Sequence, residues 1–154
     1  MSVLYVDTSA LVALIVPEPG SAAVARWYAG ATGELASAVW CITEFASALG
    51  IKQRTGQLNA TQAQQAWQRF EQLTAHDLTL LPVTPRHFHR AALLTLDATT
   101  ALRAGDALHL ACAEQAGAGG MVTLDAVLAR HAQRLKILPV DLAWAAATGP
   151  SPAG

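Results

Sequence analysis

The chain has 154 residues and a mass of 16.1 kDa, the size of one domain. Hydrophobic residues make up 53%, and 33 residues are alanine, so a real core and a helix-rich structure are expected and disorder is excluded for most of the chain. Ten basic against eleven acidic residues give a net charge of −1, which excludes a protein held to nucleic acid by bulk charge but leaves room for a local basic groove.

Residues 3–6 are β-prone and end in Asp7-Thr8-Ser9, where Thr8 or Ser9 can cap a helix over residues 10–16. Pro17-Glu18-Pro19-Gly20 stops that helix, and Ser21 starts a second one to about Tyr28. After a loop over residues 30–33, residues 35–39 read as a short buried strand that leads into a helix over residues 40–54. Gly56 breaks this helix, and Asn59 or Thr61 caps the next, in which Ala63, Ala66, Trp67, Phe70 and Leu73 recur at helical spacing above a glutamine-rich opposite face. These two helices form a hairpin with Trp40, Phe45, Trp67 and Phe70 as its candidate core. A strand over residues 78–83 and a helix over residues 85–96 follow. Asp106 opens a helix to about Ala116, residues 121–124 form a strand, Asp125 begins a helix to Arg134, and residues 137–140 make a last strand. The domain spans residues 1–148, and residues 149–154 read as a disordered tail.

Short strands, apolar on both faces and alternating with helices, argue an α/β fold with a short parallel sheet covered by helices. The most apolar stretch, residues 3–16, is interrupted by Asp7 and lacks a basic leader, so neither a bilayer span nor a signal peptide is expected. Cys41 and Cys112 lie far apart, match no metal or redox spacing, and read as small buried hydrophobes. A cytoplasmic protein is the expectation.

In a parallel sheet, ligands bind beyond the carboxyl ends of the strands, and Asp7 and Asp125 stand at two such ends. With so few charges, each lone acid is informative. Asp7 is the only charged side chain in residues 1–17, and Glu44 the only one in residues 35–51. No lysine or arginine lies in residues 104–113 around Asp106 or in residues 115–129 around Asp125. Carboxylates in apolar surroundings are unfavourable unless paired or bound to a cation, and a shared divalent ion would account for all four. Helix capping would account for Asp7, Asp106 and Asp125 as well, and a solvated surface acid for Glu44. Asp97 and Asp141 are lone acids too, so spacing leaves both readings open.

Local motifs in order say more. Tyr5-Val6-Asp7-Thr8-Ser9-Ala10-Leu11, Thr43-Glu44 in apolar flanks, Gly105-Asp106-Ala107-Leu108-His109-Leu110-Ala111 and Val122-Thr123-Leu124-Asp125 together resemble the PIN domain nucleases, and among them the VapC toxins of toxin–antitoxin pairs. The resemblance runs from Val3 to about Val140. It implies a three-layer α/β/α sandwich in which Asp7, Glu44, Asp106 and Asp125 converge on Mg²⁺, with Mn²⁺ as a substitute. Thr8 and Ser9 would be supporting hydroxyls, and Thr123 would orient the attacking water. It further implies a metal-dependent endoribonuclease, a VapB-type antitoxin as partner, and a homodimer. His109 matches the motif but lies on an apolar helix face, and is taken as structural.

Hard oxygen ligands suit Mg²⁺ or Mn²⁺, and hydrolysis by water would leave a 3′-hydroxyl and a 5′-phosphate. For RNA contact, Arg103 at the rim of the acids is the leading candidate. The basic stretches Arg86, His87, His89, Arg90 and Arg130, His131, Arg134, Lys136 read first as solvated helix faces. The rival readings are an RNA-binding module that does not cut, a stand-alone nuclease without antitoxin, and a DNA-cleaving relative. A haloacid-type phosphatase would want a second aspartate where Ser9 stands, and a receiver-like module an adjacent acid pair with a lysine.

Overall fold

The computed structural model describes residues 3–142. Five parallel strands, β1 (Leu4–Val6), β2 (Leu35–Ala38), β3 (Thr79–Leu81), β4 (Gly120–Val122) and β5 (Leu138–Pro139), form one sheet in the order β3-β2-β1-β4-β5. Seven α-helices of the described residues cover it: α1 (Thr8–Ile15), α2 (Ser21–Gly30), α3 (Trp40–Arg54), α4 (Ala60–His76), α5 (Pro85–Leu96), α6 (Ala104–Gln115) and α7 (Ala126–Arg134). The domain limits at residues 1 and 148 and the tail over residues 149–154 lie outside the described residues.

Strand alternation sorts the helices into two layers. On β1, Leu4 and Val6 pack with α1 to α4, whereas Tyr5 packs with α6 and α7. Helix α5 lies on α6 through Ala91, Ala107, Leu108 and Ala111. The result is the α/β/α sandwich expected from the sequence. The α3–α4 hairpin closes on Phe45 and Phe70, whose rings stack at 4.2 Å and 13°, with Trp67 tilted against both. Asn59, not Thr61, caps α4, in a reciprocal capping box with Gln62. Trp40 only packs against the opposite layer from its partly buried position.

Two helix starts differ from expectation. Thr8 and Ser9 do not cap α1. Asp7 does, because β1 ends at Val6 and leaves Asp7 extended (φ −81°, ψ 170°), so its Oδ1 accepts from Ala10 N at 3.1 Å. Nor does Asp106 open α6. The extended residue is Arg103, and Asp106 falls in the first turn. A 3-10 turn over Ala98–Thr100 and a left-handed Ala101 (φ 55°) deliver the chain to that start.

The sheet is tightest at Gly120. A Cβ there would lie 2.6 Å from Leu4 Cδ2 and 3.2 Å from the Leu138 carbonyl oxygen, which belongs to backbone and cannot swing away. Gly120→Ala is therefore expected to destabilise by about 1–3 kcal/mol, lowering Tm by about 2–12 °C at this chain length. An unchanged melting curve would contradict this packing.

Candidate active site

The chain leaves β1 for β2 on one side and later returns to β4 on the other, so the strand order switches direction between β1 and β4. At such a point the loops beyond the carboxyl ends part and leave a crevice. Asp7 follows β1, and Thr123, Leu124 and Asp125 follow β4, with Asp7 N still donating to Val122 O at 3.1 Å.

Asp7 is 4% exposed, and both of its carboxylate oxygens are hydrogen-bonded. Oδ1 accepts from Ser9 Oγ at 2.7 Å and from Ala10 N, and Oδ2 accepts from Thr123 Oγ1 at 2.8 Å. Burial pushes its carboxyl above the ordinary value, against the opposing pull of His109 and these hydrogen bonds. Thr123 has its proton committed to Asp7 and accepts from Asp125 N at 3.0 Å, so the hydroxyl expected to orient water ties two acids together. Ser9 Oγ accepts from Leu124 N at 3.0 Å and joins the same loop to α1. Asp125 caps α7, with Oδ1 accepting from Val127 N at 2.8 Å and Leu128 N at 3.1 Å.

Glu44 projects from α3 and is partly buried. Its Oε1 accepts from Thr8 Oγ1 at 2.7 Å and pairs with Nε2 of the buried His109. Burial raises its carboxyl, but His109, Thr8 and Trp40 together outweigh burial and hold it below its ordinary value. Its Oε2 is pressed against α6, where a Cβ on Gly105 would lie 3.1 Å away. A side chain at 105 would make Glu44 give way by a few tenths of an ångström.

Asp106, one residue on, has a raised carboxyl. Burial contributes most, then the charge of Asp125, with Asp7 and Glu44 adding to it and His109 opposing. Asp106 thus feels the charge of the other three acids. Glu44, Asp106 and Asp125 line a single cleft of about 510 Å³, with Trp40, Thr43, Ser47, Ile51 and Arg103 along its walls. A pocket of about 240 Å³ near Ile15, Gln62 and Arg69 has no acid in its lining.

Crowded carboxylates are a hard-oxygen donor set, and Asp106 registers the repulsion that a divalent cation would relieve. The indole N–H of Trp40, beside the same cleft, acts on the Glu44 charge but is aligned with no protein acceptor. Both observations fit a cation with attendant oxygen ligands. Among the described residues, no three acids, histidines or cysteines are close enough to grip an ion in common. The acids gather without converging.

The remaining candidates separate cleanly. Arg103 sits on the cleft wall. His87 is buried and closes the α5 capping box with Thr84, Arg90 pairs with Glu114 at 2.8 Å, and His131 Nε2 lies 2.6 Å from the Thr100 carbonyl. Those three have structural partners, and His87 and His131 are buried rather than on the solvated helix faces expected from sequence. Cys41 and Cys112 are free and buried, and burial raises both thiols to about 11. No helix among the described residues is long and apolar enough to cross a membrane.

Residues 4–138 match the PIN domain family. Among solved structures, the chain is similar to a Mycobacterium tuberculosis VapC20 described as a sarcin–ricin loop cleaving toxin, at 17% identity over 83% of this chain and 94% of that one, with a TM-score of 0.68. FitAcB from Neisseria gonorrhoeae aligns at 18% identity over 90% and 97%, with a TM-score of 0.67. VapBC2 from Rickettsia felis, bound to a promoter DNA fragment, aligns at 14% identity over 90% and 97%, with a TM-score of 0.63. No curated protein matches the chain.

Proposed function

The chain belongs to the PIN domain family, and we propose that it is a metal-dependent endoribonuclease toxin that an antitoxin of the VapB type neutralises. The observation that carries this reading is the acid cleft at the sheet's switch point, lined by Glu44, Asp106 and Asp125, with buried Asp7 near enough to act on the Asp106 charge. Asp7, Glu44, Asp106 and Asp125 would hold Mg²⁺, or Mn²⁺ in its place. A divalent cation there supplies Lewis acidity, easing deprotonation of water and offsetting charge on the phosphate. Asp7, fixed by three hydrogen bonds, is the rigid member of the set. Asp106, raised like Asp7 but lining the cleft, is the member best suited to take up a proton from the attacking water. Arg103 would steady the phosphate from the cleft wall. Water oxygen bonds to phosphorus as the P–O3′ bond breaks, and the departing O3′ takes up a proton from solvent, leaving a 3′-hydroxyl and a 5′-phosphate.

Support for the toxin part comes from the company the fold keeps. Similar structures are described as a cleaving toxin and as toxin–antitoxin complexes. RNA as the substrate, a homodimer and a cytoplasmic location belong to this proposal.

Expression of the chain alone is expected to arrest growth, and co-expression of a small partner encoded beside it to relieve the arrest. Asp106→Asn should abolish the arrest. Equal arrest by Asp106→Asn would place toxicity elsewhere, and cleavage without any neutralising partner would leave a stand-alone nuclease.

A further inference from the structure

The apolar helix face predicts a structural His109, yet its contacts reach further than a core histidine needs. It is 2% exposed, and both ring nitrogens are engaged across the sheet. Nε2 faces Glu44 Oε1, a carboxylate oxygen that only accepts, which calls for the ring proton on Nε2. Tyr5 Oη, which accepts from Ala38 N–H at 3.0 Å, lies 2.6 Å from Nδ1 and can donate its own proton there. Burial pushes that phenol well up, and it keeps its proton. A ring that accepts at Nδ1 carries its proton on Nε2, which also has Thr8 Oγ1 at 3.3 Å.

We infer that His109, oriented by Tyr5, is a positioning residue that pins Glu44 by its Oε1 and thereby presents Oε2 to the cleft. Oε1 receives two donors, from Nε2 and from Thr8, and is directed into the protein. Oε2 is left beside Gly105, at the wall shared with Trp40, Asp106 and Asp125. The chain of contacts runs from the backbone of β2 through a phenol on β1 and an imidazole on α6 to a carboxylate on α3. Four elements therefore fix one ligand atom. A donor on the remote side of a ligand both orients it and limits it to one oxygen, which is how supporting hydrogen bonds tune a metal site. The inference rests on the cation-dependent reading of the cleft.

Mn²⁺ titration of the full chain by calorimetry tests it, alongside melting in EDTA to verify folding. His109→Phe is expected to weaken Mn²⁺ binding about 10–100-fold. His109→Gln, whose amide N–H reaches the Nε2 position, should restore most of that affinity, and Tyr5→Phe should fall between. A merely structural histidine would shift melting in EDTA and leave Mn²⁺ affinity alone, so wild-type affinity in a folded His109→Phe overturns the inference. Absence of Mn²⁺ binding by the wild-type chain would overturn the cation-dependent reading, and this inference with it. Should the variants not fold, a long-range proton–nitrogen spectrum of the wild-type chain decides. A proton on Nε2 is expected, and a bare Nε2 beside a protonated Nδ1 would overturn the inference.

Discussion

Asp106→Asn is expected to melt above the wild-type chain in EDTA and below it in millimolar Mn²⁺. Asp106 has its carboxyl raised by burial first and by Asp125 next, with Asp7 and Glu44 adding and His109 opposing. A carboxyl whose folded value lies above its ordinary 3.8 contributes stability that is full below 3.8 and lost as pH rises through the folded value. Near neutrality the ionised group is therefore a burden on the metal-free protein, and asparagine removes it. The first-turn position works the other way, since the helix dipole favours a negative charge there by about 0.3–1 kcal/mol. The raised carboxyl means that burial and crowding outweigh it. Metal reverses the ranking, because binding only the folded state stabilises by about 2.7 kcal/mol at a hundredfold excess over Kd. That corresponds to a rise of about 5–11 °C for a chain of this length, most of which the variant forgoes. Acidification of the metal-free protein should first relieve Asp106 and Asp7. Below 4.5 it begins to lose the contribution of Glu44, whose folded value is lowered. If wild type and variant melt alike and neither responds to Mn²⁺, the acids are not one site.

Asp125→Asn is expected to lose cleavage by about 10²–10⁴-fold while keeping its fold, the range typical of removing one charged group that acts at the reacting atoms. Asp125 separates two roles that the other acids confound. It caps α7 through Oδ1, and asparagine caps about equally well. Asp125→Ala should lose both activity and about 0.5–2 kcal/mol of stability. Full activity in Asp125→Asn would make this acid a cap and nothing more.

The core of the fold was legible because its signals are local. The hairpin carries helical spacing at Ala63, Ala66, Trp67, Phe70 and Leu73, and the helix from Pro85 has proline at its first position with an extended Thr84 before it. Ends were less legible. Asp7-Thr8-Ser9 offers three good caps in a row, and only the length of β1 decides that Asp7 is the one. Strand β4 ends at Val122, not Leu124, because Thr123 turns aside to bind Asp7 and Asp125. Edge strands β3 and β5 are also shorter than their apolar runs, β3 stopping before Pro82 and β5 ending on Pro139, and proline cannot donate to a ladder. The left-handed Ala101, and with it the start of α6 at Ala104, has no mark in the sequence. At the candidate site, the isolation of Asp7, Glu44, Asp106 and Asp125 from basic residues pointed to them individually. The contact of His109 with Glu44 is 65 residues apart in sequence and follows only from how α6 crosses α3.

The central claim is that these acids cut RNA with a divalent cation, and cleavage by the purified, partner-free chain tests it most directly. Single-stranded RNA incubated with Mn²⁺ should yield fragments with 5′-phosphate and 3′-hydroxyl ends, and EDTA should stop the reaction. Undiminished cleavage in EDTA, or fragments ending in a 2′,3′-cyclic phosphate, would contradict the account.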